Sequence, residues 1–239
     1  MTDNPASADD RAFVLASLAD ELAQAHSAER TAVAVTKRAL EHVEDADHVS
    51  ITLIAGRDNY QTLGATDAVA QRLDELQYDL GEGPCVDAAD GHDWYRSGAV
   101  SIDPRWPRWG SQAGDLGIGS LLSVRLVSGG TSIGALNFYA REKQRFTIRE
   151  DLDFAVLYAT HVAIALASSR ELEGLETALH SRHLIGVAQG ILCERYDLDL
   201  ERAFVLLRRY SSTTNTKLSQ VAAELVRTRR LPGLAPDQE

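Results

Sequence analysis

Apolar residues recur at helical spacing towards both ends of this 239-residue chain and alternate at strand spacing between them. Leu15, Leu18, Ala19 and Leu22 follow an i, i+3, i+4, i+7 pattern, which predicts helix within 11–44, in two pieces, the second running towards Val43. VSITLIA (49–55) reads as a strand, closed by a turn at Gly56–Asn59 and paired with Tyr60–Gly64. Asp67 is placed to cap a helix carrying Val69, Leu73 and Leu76. Residues 81–98 read as irregular, with a short strand expected between them and DPRWPRW (103–109). SLLSVRLV (120–127) and SIGALNFYA (132–140) are strands, and Gly129–Gly130 between them signals a hairpin. Residues 11–147 are therefore expected to form an α+β domain around a largely antiparallel sheet, after a disordered tail at 1–10.

A long helix is expected from Ile148, with Thr147 and Glu150 spaced as in a capping box. Ile148, Leu152, Ala155, Ala159, Val162 and Leu166 are spaced as a heptad seam, which resumes, slightly out of phase, at Leu172, Leu175 and Leu179. Two readings fit: the seam covers its own domain, or it forms a coiled coil across 148–180 and makes a homodimer. No proline or turn cluster interrupts the stretch, which favours the dimer.

Three short amphipathic helices follow within 175–233, before a tail at 234–239. The first carries Leu184, Ile185, Ala188, Ile191 and Leu192. The second carries Ala203, Phe204, Leu206, Leu207 and Tyr210, and the third Leu218, Val221, Ala222, Leu225 and Val226. Asp199 can cap the second helix, and Asn215 or Thr216 the third, across a polar connection at 211–216. Three such faces close into a small bundle. Gly190, within the first helix, points to a close helix–helix approach, because glycine there costs about 1 kcal/mol against alanine.

Charge sharpens the division. Residues 1–174 carry 15 Lys/Arg against 27 Asp/Glu, whereas 175–239 carry 9 against 8, in a chain of net charge −11. Arg208–Arg230 holds six basic residues and only Glu224 on the acidic side. A basic module on an acidic protein points to a nucleic-acid partner, against the plainer reading of a solvated face. The acidic, polar N-terminus is unlike a signal peptide, and no apolar run approaches the ~20 residues that span a bilayer. Two distant cysteines, Cys85 and Cys193, without metal-site spacing fit a cytoplasmic setting. No metal or cofactor is expected, and His180 and His183 read as surface residues.

The C-terminal run resembles an ANTAR domain, the RNA-binding module of bacterial transcription antiterminators. The residues that carry the likeness are Ser181–Arg182, Ile185, Ala188–Gly190–Ile191–Leu192, Ala203, Leu207–Arg208, Asn215–Lys217–Leu218 and Val221–Ala222. Gln189 departs from the pattern, in which many members carry lysine. More loosely, GEGPCVDA, DPRWP and SIGALNFYAR in the first domain resemble a GAF sensor domain.

The resemblance implies a non-enzymatic regulator that binds paired hairpins in leader RNA, prevents terminator formation and answers to a GAF-like sensor with a small-molecule ligand. Recognition of RNA loops calls for hydrogen-bonding side chains within a cationic rim. The candidates are Arg182, Gln189, Arg195, Arg208, Asn215 and Lys217. Each could instead be an ordinary surface residue: Asn215 a cap, Arg208 a partner of Glu201 or Glu224. A one-component DNA-binding regulator is the alternative, since three-helix modules also read duplex DNA. A third reading makes Cys85, seven residues before His92, a redox-active or catalytic thiol.

Overall fold

The computed structural model describes residues 14–18, 27–56, 59–88 and 92–230. Ala19, Leu22 and both chain tails lie outside the described residues. The chain divides into two compact units, 1–171 and 172–239.

In the first unit, residues 14–18 are helical and are followed by α1 (Ala28–His42), which buries Ala28, Thr31, Ala32, Val35, Thr36 and Ala39 at helical spacing. Then come β1 (His48–Gly56), β2 (Asn59–Ala65) and α2 (Ala68–Leu80). Asp67 caps α2 as expected, accepting from the N–H groups of Val69 and Ala70 at 2.8 and 3.0 Å. Gly81 closes the helix in the left-handed region, at φ 58°. After α3 (Pro84–Ala88), β3 (Trp94–Ser97) and a 3₁₀ turn (Val100–Ile102), the chain forms α4 (Pro107–Asp115), β4 (Ser120–Ser128) and β5 (Thr131–Ala140). Gly129 and Gly130 both take positive φ, 57° and 77°, so the hairpin signal holds.

The strands form one antiparallel sheet in the order β2-β1-β5-β4-β3. The stretch 81–98 is more regular than expected. It contains α3 and β3, while the segment expected to be a strand is the 3₁₀ turn. Helix α4 also went unforeseen, because its cap is supplied from afar. The Glu82 carboxylate accepts from the N–H groups of Arg108 and Trp109 at 2.7 and 2.9 Å, groups that a helix start leaves without partners.

One face of the sheet, with Val49, Ile51, Leu53, Leu122, Val124, Leu136 and Phe138, packs on α1 and on the first part of the last long helix, α5 (Arg149–Tyr196). From α5, Ala155, Ala159, Val162 and Leu166 are at most 1% exposed in this core. This portion of the heptad seam therefore covers its own domain. A sheet-covering stripe and a coiled-coil seam have nearly the same period, so spacing alone could not separate them. One 18-residue window of α5 is apolar enough by length and composition to cross a membrane, contrary to the expectation that no run would be. Of that window 44% is buried in the protein, as in a core helix.

In the second unit, α5 ends at Tyr196 without a break, so the module's first helix is the continuation of the long helix. It packs with α6 (Leu200–Thr214) and α7 (Leu218–Thr228) around Ala188, Leu192, Ala203, Leu207, Val221, Ala222 and Leu225. Asp199 caps α6, accepting from Arg202 N at 2.7 Å.

Residues 211–214, expected as a connection, prolong α6. Thr213 and Thr214 donate inside the helix to the carbonyls of Arg209 and Tyr210 at 2.9 Å, while Ser211 donates past its end to the Thr216 carbonyl at 2.6 Å. Asn215 then ends α6 in the left-handed region, φ 50°, and neither it nor Thr216 caps α7, whose N-cap is Lys217. A Cβ built on Gly190 would meet nothing within 4 Å, so the close approach expected there does not occur in this unit.

Candidate nucleic-acid interface and sensor core

The six residues expected to meet RNA all lie in the second unit. Arg182 and Gln189 are one heptad apart on α5, hence on one face of it. The Gln189 amide donates to the Leu200 carbonyl at 2.9 Å, joining that face to the first turn of α6. Arg195 donates to the Arg229 carbonyl at the end of α7. Thirteen residues separate Arg182 from Arg195, about 20 Å of helix, so the six do not converge on one point.

Arg208 lies mid-way along α6 and pairs with neither Glu201 nor Glu224. Glu224 instead holds Arg227 at 2.6 Å, and Arg202 pairs with Asp199 at 3.4 Å. Among the described residues neither Arg208 nor Lys217 makes an ion pair. Asn215 and Lys217 are both exposed, in the turn between α6 and α7. A guanidinium and an ammonium left in water, close to backbone turns and hydroxyls, are what phosphate oxygens require.

The first unit holds a site the sequence reading missed. On the second face of the sheet, Ser50, Asn137 and Ser123 stand in cross-strand register on β1, β5 and β4. All three are buried under α2. Ser123 Oγ donates to Asn137 Oδ1 at 2.7 Å, and Asn137 Nδ2 lies 3.2 Å from both Ser50 Oγ and Thr52 Oγ1. Asp74 of α2 closes the cluster from above. Its Oδ1 accepts from Ser50 Oγ and Tyr139 OH, each at 2.8 Å, and its Oδ2 from Thr62 Oγ1 at 3.0 Å. Tyr78 OH bridges Thr52 and Thr62 at 2.9 and 3.0 Å, and Gln77 donates to Tyr139 OH at 3.1 Å.

Burial pushes the Asp74 carboxyl up to about 6, even though Tyr139, Ser50 and Thr62 all favour its charged form. The signal was present in the sequence. Asp74 occupies the buried stripe of α2 with Ala70, Leu73 and Gln77, where an apolar residue would be expected.

Cys85 sits at the border of this cluster, 1% exposed, with its N–H donating to Gln77 Oε1 at 2.9 Å. Burial raises its thiol well above the ordinary range, and nearby Asp74 adds to the effect. Neither influence favours a thiolate. His92 is engaged elsewhere, stacked edge-on to Tyr95.

The other motif phrases are structural joints. Trp106 donates to Asp87 at 2.7 Å and meets Trp109 edge-on, while Arg105 lies over the Trp106 ring and pairs with Asp103. The Arg105 hydrogen bond holds the Asp103 carboxyl down at about 2. Among the described residues no three His, Cys, Asp or Glu side chains gather as a metal site.

An antiparallel five-stranded sheet, with α1 and α5 on one face and α2–α4 on the other, defines the class as a GAF-type sensor domain. The GAF domain model matches residues 25–167 and the ANTAR domain model residues 173–226. The chain belongs to the GAF domain family, in an arrangement that joins a GAF domain to an ANTAR domain; these are sensor and regulatory modules.

Solved structures share the first fold. The GAF domain of a phosphoenolpyruvate-protein phosphotransferase from Coxiella burnetii is 18% identical, with 69% of this chain and 96% of that one covered and a TM-score of 0.56. Its Acinetobacter counterpart is 14% identical, with 73% and 99% covered and a TM-score of 0.55. Free methionine-R-sulfoxide reductase from Neisseria meningitidis, solved with its substrate, is 17% identical, with 72% and 95% covered and a TM-score of 0.52. At these identities the likeness is one of fold. No curated protein matches the sequence.

Proposed function

We propose that this chain is a signal-responsive transcription antiterminator that acts in the cytoplasm by binding paired leader-RNA hairpins. RNA held in this way cannot refold into a terminator. The observation that carries the reading is the ANTAR match over residues 173–226, on a three-helix unit that leaves Arg208 and Lys217 exposed without ion pairs.

The first unit supplies the signal. A small molecule bound by the GAF domain would shift the regulator only by binding one of its states more tightly than the other. Continuous α5, shared by both units, is the path along which such a shift would act.

A homodimer belongs to the same proposal. The seam has moved along α5 to Leu172, Leu175 and Leu179, which are 54, 56 and 66% exposed at spacings of three and four. Two modules in one dimer match two hairpins, and linkage raises the avidity of the second contact.

The test is a titration of the full chain against a two-hairpin leader RNA, a scrambled RNA and the matching DNA duplex at two salt concentrations. Selective binding to the hairpins that weakens with salt is expected. Preference for the duplex would overturn the RNA reading in favour of a DNA-binding regulator.

A further inference from the structure

Asp74 is a fully buried carboxyl group with no cation to offset its charge. Every basic side chain on the elements around it is paired with another acid: Arg72 with Glu75, His48 with Asp67, Arg108 with Glu82 and Arg125 with Asp93. The other charged groups of α2 and α3, Asp79 and Asp87, are themselves acidic. Its titratable neighbours Tyr78, Tyr139 and Cys85 are all pushed up by burial and then by Asp74 itself, so they stay neutral. Only the dipoles of Ser50, Tyr139, Thr62 and Asn137 face the carboxylate.

Two kinds of contact hold α2 on the sheet. Leu73 and Leu76 pack with Trp106, Trp109 and Leu121, and the Trp109 indole donates to the Leu73 carbonyl at 3.1 Å. Beside this apolar grip runs the polar row through Asp74. An asparagine there would close the row at every pH. A carboxyl closes it well only while protonated, because a buried charge without a counter-charge is strongly disfavoured. The proton has a way out. Thr62, on the edge strand β2, meets Asp74 Oδ2 at 3.0 Å and Tyr78 OH at 3.0 Å, and both Thr62 and Tyr78 are partly exposed.

We propose that α2 is an acid-operated clamp on the sheet of the sensor domain, shut while Asp74 holds its proton and loosened at the β2 edge when that proton leaves to water. Acidity is then a signal this domain reads through its own core, in addition to any ligand and whatever the C-terminal unit binds.

The direction of the effect is fixed by the carboxyl, raised by burial from 3.8 to about 6. Closure is strongest below pH 4, weakens about tenfold per pH unit up to about 6, and levels off above. The joint at the start of α2 works the other way. Burial acts to raise the Asp67 carboxyl, but the bond to His48 outweighs it and holds the group below its ordinary value. That carboxyl's contribution is present above pH 4 and is lost only as pH falls further.

Hydrogen exchange of the full chain, followed by mass spectrometry from pH 4.5 to 7.5 and expressed relative to the intrinsic rate at each pH, tests the clamp. Protection of peptides from Ala68–Leu80 and Asn59–Ala65 should fall about 25-fold over that range, with the break near pH 6. Asp74→Asn stays neutral, so its protection should not fall. Thr62→Val removes a donor that favours the charged form, and its break should move up by about one pH unit. A flat wild-type profile or an unmoved break in Thr62→Val would overturn the proposal. An undiminished fall in Asp74→Asn would also overturn it and hand the effect to the His48–Asp67 pair.

Discussion

The hydroxyl of Tyr139 on β5 donates to Oδ1 of Asp74 on α2 at 2.8 Å, in an interior from which both side chains are sealed. The bond ties the sheet to the helix above it and fixes the position of a carboxyl group that titrates near neutrality. Desolvation has raised this group from 3.8 to about 6, so the folded protein binds its proton more tightly than the unfolded chain does.

The sign of the pH effect follows. Stability from Asp74 is fully present below the unfolded value near pH 4, falls as pH rises through about 6, and is constant above that. A gap of about two units corresponds to a change on the order of 3 kcal/mol. In Asp74→Asn the amide can still accept from Ser50 and Tyr139 and can turn its N–H₂ towards Thr62. Urea unfolding of both proteins between pH 4 and pH 7.5 checks this. The stability difference between them should drift across that range, and a constant difference would contradict the assignment.

Cys85 should be unreactive in the folded protein. Its thiol is buried and held protonated, whereas Cys193 is partly exposed. Brief alkylation under native conditions, read by mass spectrometry of peptides, is expected to label Cys193 first and Cys85 only on unfolding. Rapid labelling of Cys85 would restore the redox reading.

Leu166→Asp places a carboxylate in the core between α5 and the sheet. Burying that charge without a partner costs several kcal/mol, so the variant should lose its cooperative melting transition. Leu175→Asp and Leu179→Asp, at exposed positions, should instead retain the fold and give a monomeric mass by light scattering. A folded, monomeric Leu166→Asp would return the dimer seam to the first half of α5.

Lys217→Ala removes an exposed ammonium from the N-cap position of α7, where its side chain makes no capping bond. The bundle should melt as before. Hairpin affinity should fall, and the slope of log affinity against log salt should shrink by about 1. Unchanged binding in a gel-shift series would take Lys217 out of the interface.

Local chemistry determined much of this protein from the sequence alone. Asp67 and Asp199 cap helices because a carboxylate just before an amphipathic run meets free N–H groups wherever the chain folds. Gly129–Gly130 makes its hairpin because only glycine takes two successive positive φ values at little cost. The strands of the α+β domain and the three apolar faces of the C-terminal module followed from periodicity in the same way. The motif residues around Lys217 pointed to RNA.

Tertiary structure decided what depends on partners remote in the chain. Helix α4 begins where Glu82, more than twenty residues earlier, reaches its first N–H groups. Ser50, Ser123 and Asn137 alternate with apolar neighbours as solvent-facing residues do, yet α2 covers them and makes them a sealed polar core. Leu166 and Leu175 belong to apolar runs of the same spacing, slightly out of phase with each other. One is buried by its own sheet and the other is left exposed, because periodicity records which side of a helix is apolar and only packing settles what covers it.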